Sequence, residues 1–167
     1  MIVELKDIFK SYSEGEDNPR RNILDSFNLL INFDESISIV GPSGCGKTTL
    51  LNILGTLDKP DSGEVIFKGE LVTHMSDDQL SKLRAEKIGF IFQSHYLLPQ
   101  ISVIENVILP TLAVNRKQNN SIIFDEAESL LSQVGLKKQA HKFPSQLSGG
   151  EKQRVAIVRS LINKPNL

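Results

Sequence analysis

Short apolar runs separated by polar turns dominate the first half of the chain, and they predict β-strands. The early residues alternate loosely between apolar and polar positions, and Phe27, Leu29 and Ile31 share one face of an extended segment. Two runs rich in β-branched and aromatic residues, 36–40 and 88–92, have the composition of buried strands. The predicted strands are residues 2–9, 27–31, 36–40, 64–68 and 88–92.

Helical spacing follows residue 48 and dominates after residue 93. Leu50, Ile53, Leu54 and Leu57 recur at the spacing of one helical face. Serine caps mark several helix starts, because a serine side chain can accept a hydrogen bond from the first turn. The first two predicted helices are residues 49–57 and residues 76–86, the second with Ser76 as its cap. A short helix then runs from Ser102 to the break at Pro110, and another covers residues 123–134 before Gly135. The last helix runs from Ser148 to near Lys164, and its apolar face carries Val155, Val158, Leu161 and Ile162. The polar segments 13–22 and 115–121 are predicted loops.

The composition is that of a globular protein with one domain. The chain has 167 residues, of which 40% are hydrophobic and 23% are charged, enough for a substantial core. A formal net charge of −1 gives no electrostatic footprint for nucleic acid, so no nucleic-acid partner is predicted. No apolar run approaches the ~18 residues that span a bilayer, the N-terminus lacks a signal-peptide layout, and one cysteine excludes an internal disulfide framework. The sequence predicts a cytoplasmic protein that reaches a membrane only through a partner.

Residues 41–48, Gly-Pro-Ser-Gly-Cys-Gly-Lys-Thr, fit the phosphate-binding pattern G-x-x-x-x-G-K-[ST]. The motif stands between a predicted strand and a predicted helix, which is the context of a phosphate-binding loop. Its glycines let backbone N–H groups wrap phosphates, and the helix N-terminus adds the positive end of its dipole. Lys47 can reach the β- and γ-phosphates, and the Thr48 hydroxyl can bind Mg²⁺. The alternative is an ordinary glycine-rich turn, which the flanking elements argue against.

The run Leu147-Ser148-Gly149-Gly150-Glu151 is the second informative stretch. Ser148 and Glu151 fit the S-x-x-E capping box, in which each residue satisfies a backbone N–H of the other. Two glycines in the first turn leave the N–H groups of that turn uncovered, so a second helix N-terminus is able to accept an anion. Taken alone, the stretch also fits a well-capped helix that binds no ligand.

Together, the phosphate loop, a glutamine at the end of a predicted strand and the run from Leu147 to Arg154 resemble the ATP-binding subunits of ABC transporters. The resemblance covers the whole chain. Its signature run argues against GTPases, kinases and other P-loop proteins, which lack it. The nearest branch is the lipoprotein-releasing and macrolide-export one, which the chain resembles at residues 50–55, 57–58, 92–93, 97–99, 105–107 and 110.

The resemblance implies an α/β fold of the P-loop NTPase class. This fold has a RecA-like core, an N-terminal antiparallel β region and an inserted helical subdomain, here incomplete at the C-terminus. The ATP-binding core corresponds to residues 1–93 and 148–167, and the helical subdomain to residues 94–147. Residues 94–113 would form part of the surface that docks on an integral-membrane transporter subunit, so the protein is expected on the inner face of the cell membrane.

The resemblance also implies roles for single residues. Tyr12 matches the aromatic residue that stacks on adenine, and Gln93 matches the glutamine that contacts Mg²⁺ and the attacking water. Ser148, Gly149 and Gly150 would bind the γ-phosphate of ATP held by a second subunit, so that a head-to-tail dimer encloses two ATP molecules.

The predicted site contains three groups of residues. Lys47 and Gln93 are the catalytic candidates, and Thr48 and Gln93 are the candidate Mg²⁺ ligands. The ATP-binding residues are Tyr12, Gly41, Pro42, Ser43, Gly44, Cys45, Gly46, Lys47, Thr48 and Thr49, and the signature residues are Leu147, Ser148, Gly149, Gly150 and Glu151.

Hydrolysis requires residues that the family carries after the signature helix. There, an apolar strand ends in Asp-Glu, the aspartate holding Mg²⁺ and the glutamate acting as general base, and a histidine that senses the γ-phosphate follows. The sequence reaches Leu167 without such a pair, and His74, His95 and His141 lie too early to be that histidine. We therefore expect the complete protein to be an ATPase. These 167 residues alone are expected to bind nucleotide without hydrolysing it.

Three other functions are kept as alternatives. The first is a regulatory or interaction fragment that does not hydrolyse ATP, including a gene relic. The second is a DNA-repair or chromosome-maintenance ATPase of the same superfamily, which a short insert and a chain that is not basic disfavour. The third is a generic P-loop nucleotide binder, which the signature run disfavours.

Two further residues stand out. Cys45 lies inside the phosphate loop, either as a small space-filling residue or as a thiol made reactive by the helix N-terminus. Asp34 stands where the family usually has glycine before Glu35, a departure that restricts the turn but touches no ligand.

Overall fold

A computed structural model describes residues 1–13, 20–114 and 119–167 of the chain. These residues form two compact units, Met1–Leu80 and Ser81–Leu167. The first unit carries the phosphate loop, and the second carries Gln93 and the signature run.

The Met1–Leu80 unit is built on an antiparallel sheet. Its strands are β1 (Val3–Tyr12), β2 (Arg21–Ile31), β3 (Ser62–Phe67) and the two-residue β4 (Glu70–Leu71), in the spatial order β2-β1-β3-β4. Bulges interrupt the pairing of β1 with β2 and with β3 near Asp7, whose φ of 48° lies in the left-handed region. Strand β1 supplies most of the buried side of the sheet, with Val3, Leu5 and Ile8 fully buried. The sheet confirms the strands predicted near residues 2–9, 27–31 and 64–68.

One helix follows the phosphate loop in this unit. Helix α1 (Lys47–Leu54) buries Leu50, Ile53 and Leu54, as the helical spacing predicted. Helix α2 (Asp77–Lys87) begins at the boundary between the units, where Ser76 and Gln79 exchange backbone-to-side-chain hydrogen bonds. The predicted N-cap at Ser76 is therefore confirmed.

The Ser81–Leu167 unit is helical. Its main helices are α3 (Val103–Ile108), α4 (Asn120–Gln133) and α5 (Gly149–Leu161), with short 3₁₀ segments at Leu109–Ala113, Lys137–Gln139 and Pro144–Gln146. Its core joins the three helices and the turns between them. The buried side chains of that core are Val103, Ile104, Val107, Ala127, Leu131, Leu136, Ala140, Leu147, Val155, Val158 and Ile162.

The capping boxes at Ser102 and Ser148 are both formed. In each, the serine hydroxyl accepts from the backbone N–H three residues later, and the glutamate accepts from the serine backbone N–H. Gly135 has a φ of 74° after α4, the conformation in which glycine ends a helix at little cost.

The two predicted buried strands at 36–40 and 88–92 are wrong. Neither segment is part of the sheet in the described residues, and Val40 is 84% exposed. A buried strand needs partner strands for its backbone N–H and C=O groups, and an apolar sequence does not supply them. Residues 88–92 have a short pairing instead, in which the Gly89 N–H donates to the Leu167 carbonyl at 2.8 Å. Phe90 and Phe92 stack on each other, with ring centroids 5.7 Å apart.

Smaller errors concern helix ends and loops. Leu57 is exposed because α1 stops at Leu54 and Thr56 turns the chain with a φ of 57°. Leu161 is also exposed, since the buried face of α5 is set by Val155 and Val158. Residues 14–19 and 115–118 of the predicted loops lie outside the described residues. Residues 21–22 and 120–121 of those loops instead belong to regular elements, because β2 begins at Arg21 and α4 at Asn120.

Asp34 has a φ of 58° in the turn after β2. That is the left-handed region in which glycine is favoured, so the departure from glycine restricts this turn as expected. The Asn32 N–H donates to Glu35 Oε2 at 2.7 Å and closes the turn.

Candidate functional site

The phosphate loop leads directly into helix α1. Gly46 is the residue before the helix, with a φ of 96°, and Gly44 has a φ of 77°. Both lie in the region that only glycine adopts readily. A Cβ added at Gly46 would also lie 2.7 Å from Ile23 Cγ2 in β2, so both backbone conformation and packing require glycine there.

Within the residues that the structure describes, no side chain caps the N-terminus of α1, and the first turn of this helix contains no acidic residue. An uncapped helix N-terminus at the end of a glycine-rich loop favours an anion through both its donors and its dipole.

Lys47 supplies a positive charge at the same place. Its Nζ donates to the carbonyls of Gly41 and Pro42 at 2.9 and 2.7 Å and lies 3.7 Å from Cys45 Sγ. The ammonium thus lies against the loop that it follows in sequence. Cys45 is an exposed free thiol.

Thr48 and Thr49 occupy the first turn of α1. Thr48 is exposed, so its hydroxyl is accessible to a metal ion carried by a nucleotide. The described residues contain no group of three or more His, Cys, Asp or Glu side chains able to hold a metal by themselves. The donors present therefore fit an Mg²⁺ ion that keeps phosphate and water ligands better than a dedicated protein cage.

Tyr12 ends strand β1 in the same unit. Its side chain is 40% exposed, and its hydroxyl donates to Asp58 Oδ2. Burial raises the pKa of Tyr12, and the Asp58 carboxylate adds to the rise, so the hydroxyl remains a donor at neutral pH. Partial burial on its own would raise the pKa of Asp58, but the hydrogen bonds from Lys10 and Tyr12 outweigh it and lower that pKa.

The signature run begins helix α5. Leu147 is buried in the core of the Ser81–Leu167 unit, whereas a Cβ added at Gly149 or Gly150 would meet nothing within 4 Å. The glycines are therefore not required by packing within the chain. Glu151 Oε2 accepts from the Ser148 N–H at 2.8 Å and from the Ser148 hydroxyl at 2.7 Å. These two hydrogen bonds, the backbone one first, lower the pKa of Glu151.

Gln93 lies in an exposed turn, and a side chain of α5 hydrogen-bonds to the residues that follow it. Within this unit, Arg159 of α5 donates from Nη1 to the Tyr96 carbonyl at 2.6 Å and from Nη2 to the His95 carbonyl at 2.5 Å. His95 and Tyr96 have φ values of 59° and 47°, a conformation that is costly for residues other than glycine. The guanidinium therefore offsets the strain of the turn that follows Gln93.

Replacing Arg159 with alanine is expected to loosen this turn. Two charge-assisted hydrogen bonds to strained carbonyls are lost, which should reduce the free energy of unfolding by about 1–2 kcal/mol. Hydrogen–deuterium exchange should increase at residues 94–97 in particular. Lysine at this position keeps the positive charge but lacks the planar fork that reaches both carbonyls, so it should give an intermediate rate.

The matched control is Arg154→Ala, because Arg154 is exposed on the same helix. It should leave exchange at residues 94–97 unchanged. Wild-type exchange in that segment of the Arg159→Ala protein would show that the guanidinium does not hold the turn.

The structure places the site residues in two groups. Tyr12 and residues 41–49 belong to the Met1–Leu80 unit, and Gln93 and residues 147–151 belong to the Ser81–Leu167 unit. Sequence reasoning missed Lys10, Asp58 and Arg159, which contact these groups. Lys10 and Asp58 are 48 residues apart, and Arg159 and Tyr96 are 63 apart, so no local pattern marks the pairs.

Residues Asp125 and Glu126 follow two isoleucines and a phenylalanine, which superficially resembles a catalytic strand ending in Asp-Glu. They lie within helix α4, and Glu126 pairs with Lys164 at 2.7 Å. Helical backbone and an ion pair do not suit the expected strand-end role, so this pair does not replace the one that the family carries after α5.

Comparison of the sequence with known proteins identifies its family. The sequence profile of the ABC transporter family matches residues 24–167. The lipoprotein-releasing system ATP-binding protein LolD of Geobacter metallireducens is 44% identical over 166 residues, covering 99% of this chain and 72% of that protein. The macrolide export ATP-binding/permease protein MacB of Pasteurella multocida is 42% identical and covers 97% of this chain and 24% of its own length.

Solved structures give the same result for the fold. The dimeric post-hydrolysis structure of the ATP-binding cassette MJ0796 bound to ADP and Pi has a TM-score of 0.90 and 42% identity, covering 98% of this chain and 71% of that one. The likeness confirms the predicted α/β P-loop NTPase fold. In the described residues, no helix combines the length and the apolar character needed to cross a membrane.

Proposed function

The chain belongs to the ABC transporter family, and on that premise we propose that its phosphate loop binds the triphosphate of Mg·ATP. It is an ATP-binding subunit, and members of the family couple ATP hydrolysis to transport. The observation that carries the proposal is the loop itself. Gly44 and Gly46 hold left-handed backbone, α1 begins without a side-chain cap, and Lys47 places its ammonium against the loop.

Each predicted residue takes a role in this binding. Residues 41–49 surround the phosphates with N–H donors and the Lys47 charge, and the exposed Thr48 hydroxyl binds Mg²⁺ together with phosphate oxygens. Tyr12 offers its ring to the adenine base. Gln93 would be a second residue to hold Mg²⁺ and the attacking water, a role that the family resemblance implies. Bound Mg²⁺ supplies charge neutralisation of the β- and γ-phosphates.

A second copy of the subunit completes the site. The N–H groups of Ser148, Gly149 and Gly150 bind the γ-phosphate of ATP held by that copy, in a head-to-tail dimer. The open space around Gly149 and Gly150 supports this role, since glycine is not needed there for packing within the chain. A backbone without side chains lets a phosphate approach the N–H groups closely.

Docking on a membrane subunit involves residues 94–113. Apolar side chains in this segment are exposed, including Tyr96 at 65% and Leu112 at 79%. Exposed aromatic and aliphatic side chains on a helical unit suit a protein partner. The proposed function is lipoprotein release or export through that subunit. The names of LolD and MacB indicate these functions for those relatives. The proposed location is the cytoplasmic face of the membrane. Both relatives are transport proteins, which supports transport over the DNA-repair alternative.

A polypeptide of these 167 residues should bind Mg·ATP without turning it over. Hydrolysis needs a group that orients or deprotonates water, and the Asp-Glu pair that the resemblance implies after α5 is not among the residues 162–167. The test is steady-state phosphate release alongside equilibrium binding of ATP. We expect the wild-type polypeptide to bind ATP and to release phosphate no faster than the Lys47→Ala variant. Sustained release that Lys47→Ala abolishes would contradict the proposal.

A further inference from the structure

The ammonium of Lys10 is buried beside the ring of Tyr12. Lys10 is 8% exposed, and its Nζ lies 2.8 Å from Asp58 Oδ1, 2.6 Å from the Lys59 carbonyl and 5.1 Å from the centroid of the Tyr12 ring. A lysine this buried requires partners, and these acceptors supply them. Its position over the ring is that of a cation–π contact.

Asp58 connects this cation to the tip of the same ring. Its Oδ1 accepts from Lys10 Nζ and its Oδ2 accepts from the Tyr12 hydroxyl. Tyr12 is thus held by a cation over one face and by a carboxylate at its hydroxyl, with which the Thr49 side chain also forms a hydrogen bond. Tyr12 is nevertheless 40% exposed as a residue, so it remains accessible to a ligand.

We propose that Lys10 and Asp58 are positioning residues that hold the Tyr12 ring as a platform for the adenine base, and that this support sets how much the base adds to affinity beyond the triphosphate. The inference rests on the proposed function, because it presupposes that Tyr12 stacks on adenine. It adds the two residues that fix the ring and the face that the base uses.

The physical reason is preorganisation. An exposed tyrosine samples several rotamers, and ordering it upon binding would cost conformational entropy. Asp58 fixes the hydroxyl end before any ligand arrives. Lys10 covers one face, which leaves the opposite face for a base to stack on.

A purely structural role for the same contacts is the competing explanation. Lys10 and Asp58 join strand β1 to the turn after α1, so they also contribute to the fold of this unit. The two roles are separable by ligand. A damaged fold weakens the binding of every ligand of the phosphate loop, whereas a displaced ring weakens only the binding of ligands that contain a base.

The experiment compares Mg·ATP with Mg·tripolyphosphate, which has the phosphates but no base. Calorimetric titration of the 167-residue chain gives both dissociation constants, and their ratio measures the contribution of the base. Base stacking on an aromatic side chain is worth about 1–3 kcal/mol, so wild type should bind ATP about 5- to 150-fold more tightly than tripolyphosphate.

Asp58→Asn should reduce this ratio about fivefold while leaving tripolyphosphate affinity within about twofold. Tyr12→Phe keeps the ring and the Lys10–Asp58 pair but loses the hydroxyl anchor, and the ring is partly exposed, so this variant tests the anchor without disturbing the core. It should reduce the ratio about threefold. Tyr12→Ala should reduce it most, and adding Asp58→Asn to Tyr12→Ala should have no further effect.

Asp61→Asn is the matched control. Asp61 Oδ1 lies 3.9 Å from Lys10 Nζ, and its other oxygen accepts from Ser11. The ratio should remain at the wild-type value in this variant.

An unchanged ratio in both Tyr12→Phe and Asp58→Asn, or an equal loss of affinity for both ligands, would overturn the inference while leaving ATP binding intact. If wild type binds neither ligand, or Tyr12→Ala leaves the ratio unchanged, the proposed function itself fails at the phosphate loop or at the base.

Discussion

Replacing Lys47 with alanine is expected to weaken Mg·ATP binding about 100-fold, the largest effect of any single substitution on ligand affinity. A charged hydrogen bond contributes about 1.5–3 kcal/mol, and the ammonium can contact more than one phosphate oxygen. Among the residues that the structure describes, its Nζ contacts the carbonyls of Pro42 and Gly41, at 2.7 and 2.9 Å, and Cys45 Sγ. Removing the side chain therefore removes a ligand contact and leaves the buried core intact.

The stability of the Lys47→Ala protein should stay within about 0.5 kcal/mol of wild type, because the side chain is not buried. Lys6→Ala is the control for charge, since Lys6 is an exposed lysine of the same unit that pairs with Glu4. It should bind Mg·ATP as wild type does. Fluorescence titration with a labelled ATP analogue measures all three proteins. If Lys47→Ala binds Mg·ATP with wild-type affinity, the phosphate loop does not bind ATP as proposed.

The second large effect is expected at Asn106, which is fully buried in α3. Its Oδ1 accepts from the Leu98 N–H at 2.7 Å, and its Nδ2 donates to the carbonyls of Leu98, Ile101 and Ser102 at 3.0–3.2 Å. One side chain thus satisfies four backbone groups of the segment 98–102. Asn106→Leu removes this partner from the Leu98 N–H and from the carbonyls of Leu98 and Ile101, whereas the Ser102 carbonyl keeps the Asn106 backbone N–H at 2.9 Å. The lost hydrogen bonds should cost about 2–4 kcal/mol of stability.

Chemical denaturation measures that loss, and hydrogen exchange shows where it occurs. Exchange should rise first at residues 97–102, within the segment proposed to dock on the membrane subunit. Asn120→Ala is the control, because Asn120 is exposed at the start of α4, and it should cost less than about 0.5 kcal/mol. A loss below about 1 kcal/mol in Asn106→Leu would show that water replaces the amide.

Local chemistry was readable from the sequence, and long-range pairing was not. The glycine positions of the phosphate loop and the boxes at Ser102 and Ser148 depend on residues three or four apart, so the sequence predicted them. The strands at 36–40 and 88–92 depend on backbone partners that an apolar run does not specify. Their exposed side chains, such as Val40, show how far burial depends on neighbouring strands.

The same reasoning explains the candidate site. Tyr12 and Gln93 were assigned from the family resemblance, and no local pattern indicated the contacts around them. Lys10 meets Asp58 only after the chain has formed β1 and α1 and turned, and Arg159 reaches Tyr96 from a helix 63 residues later. Supporting contacts of this kind follow from the fold, so the structure was needed to find them.

The most direct test of the account is a calorimetric titration of the wild-type chain with Mg·ATP. Saturable binding with one ATP per chain, competed by Mg·tripolyphosphate, is the predicted result. It would show that the loop from Gly41 to Thr49 holds a triphosphate. Absence of saturable heat at millimolar Mg·ATP, together with no rise in the melting temperature, would contradict the central claim, because a ligand that binds the folded state must stabilise it.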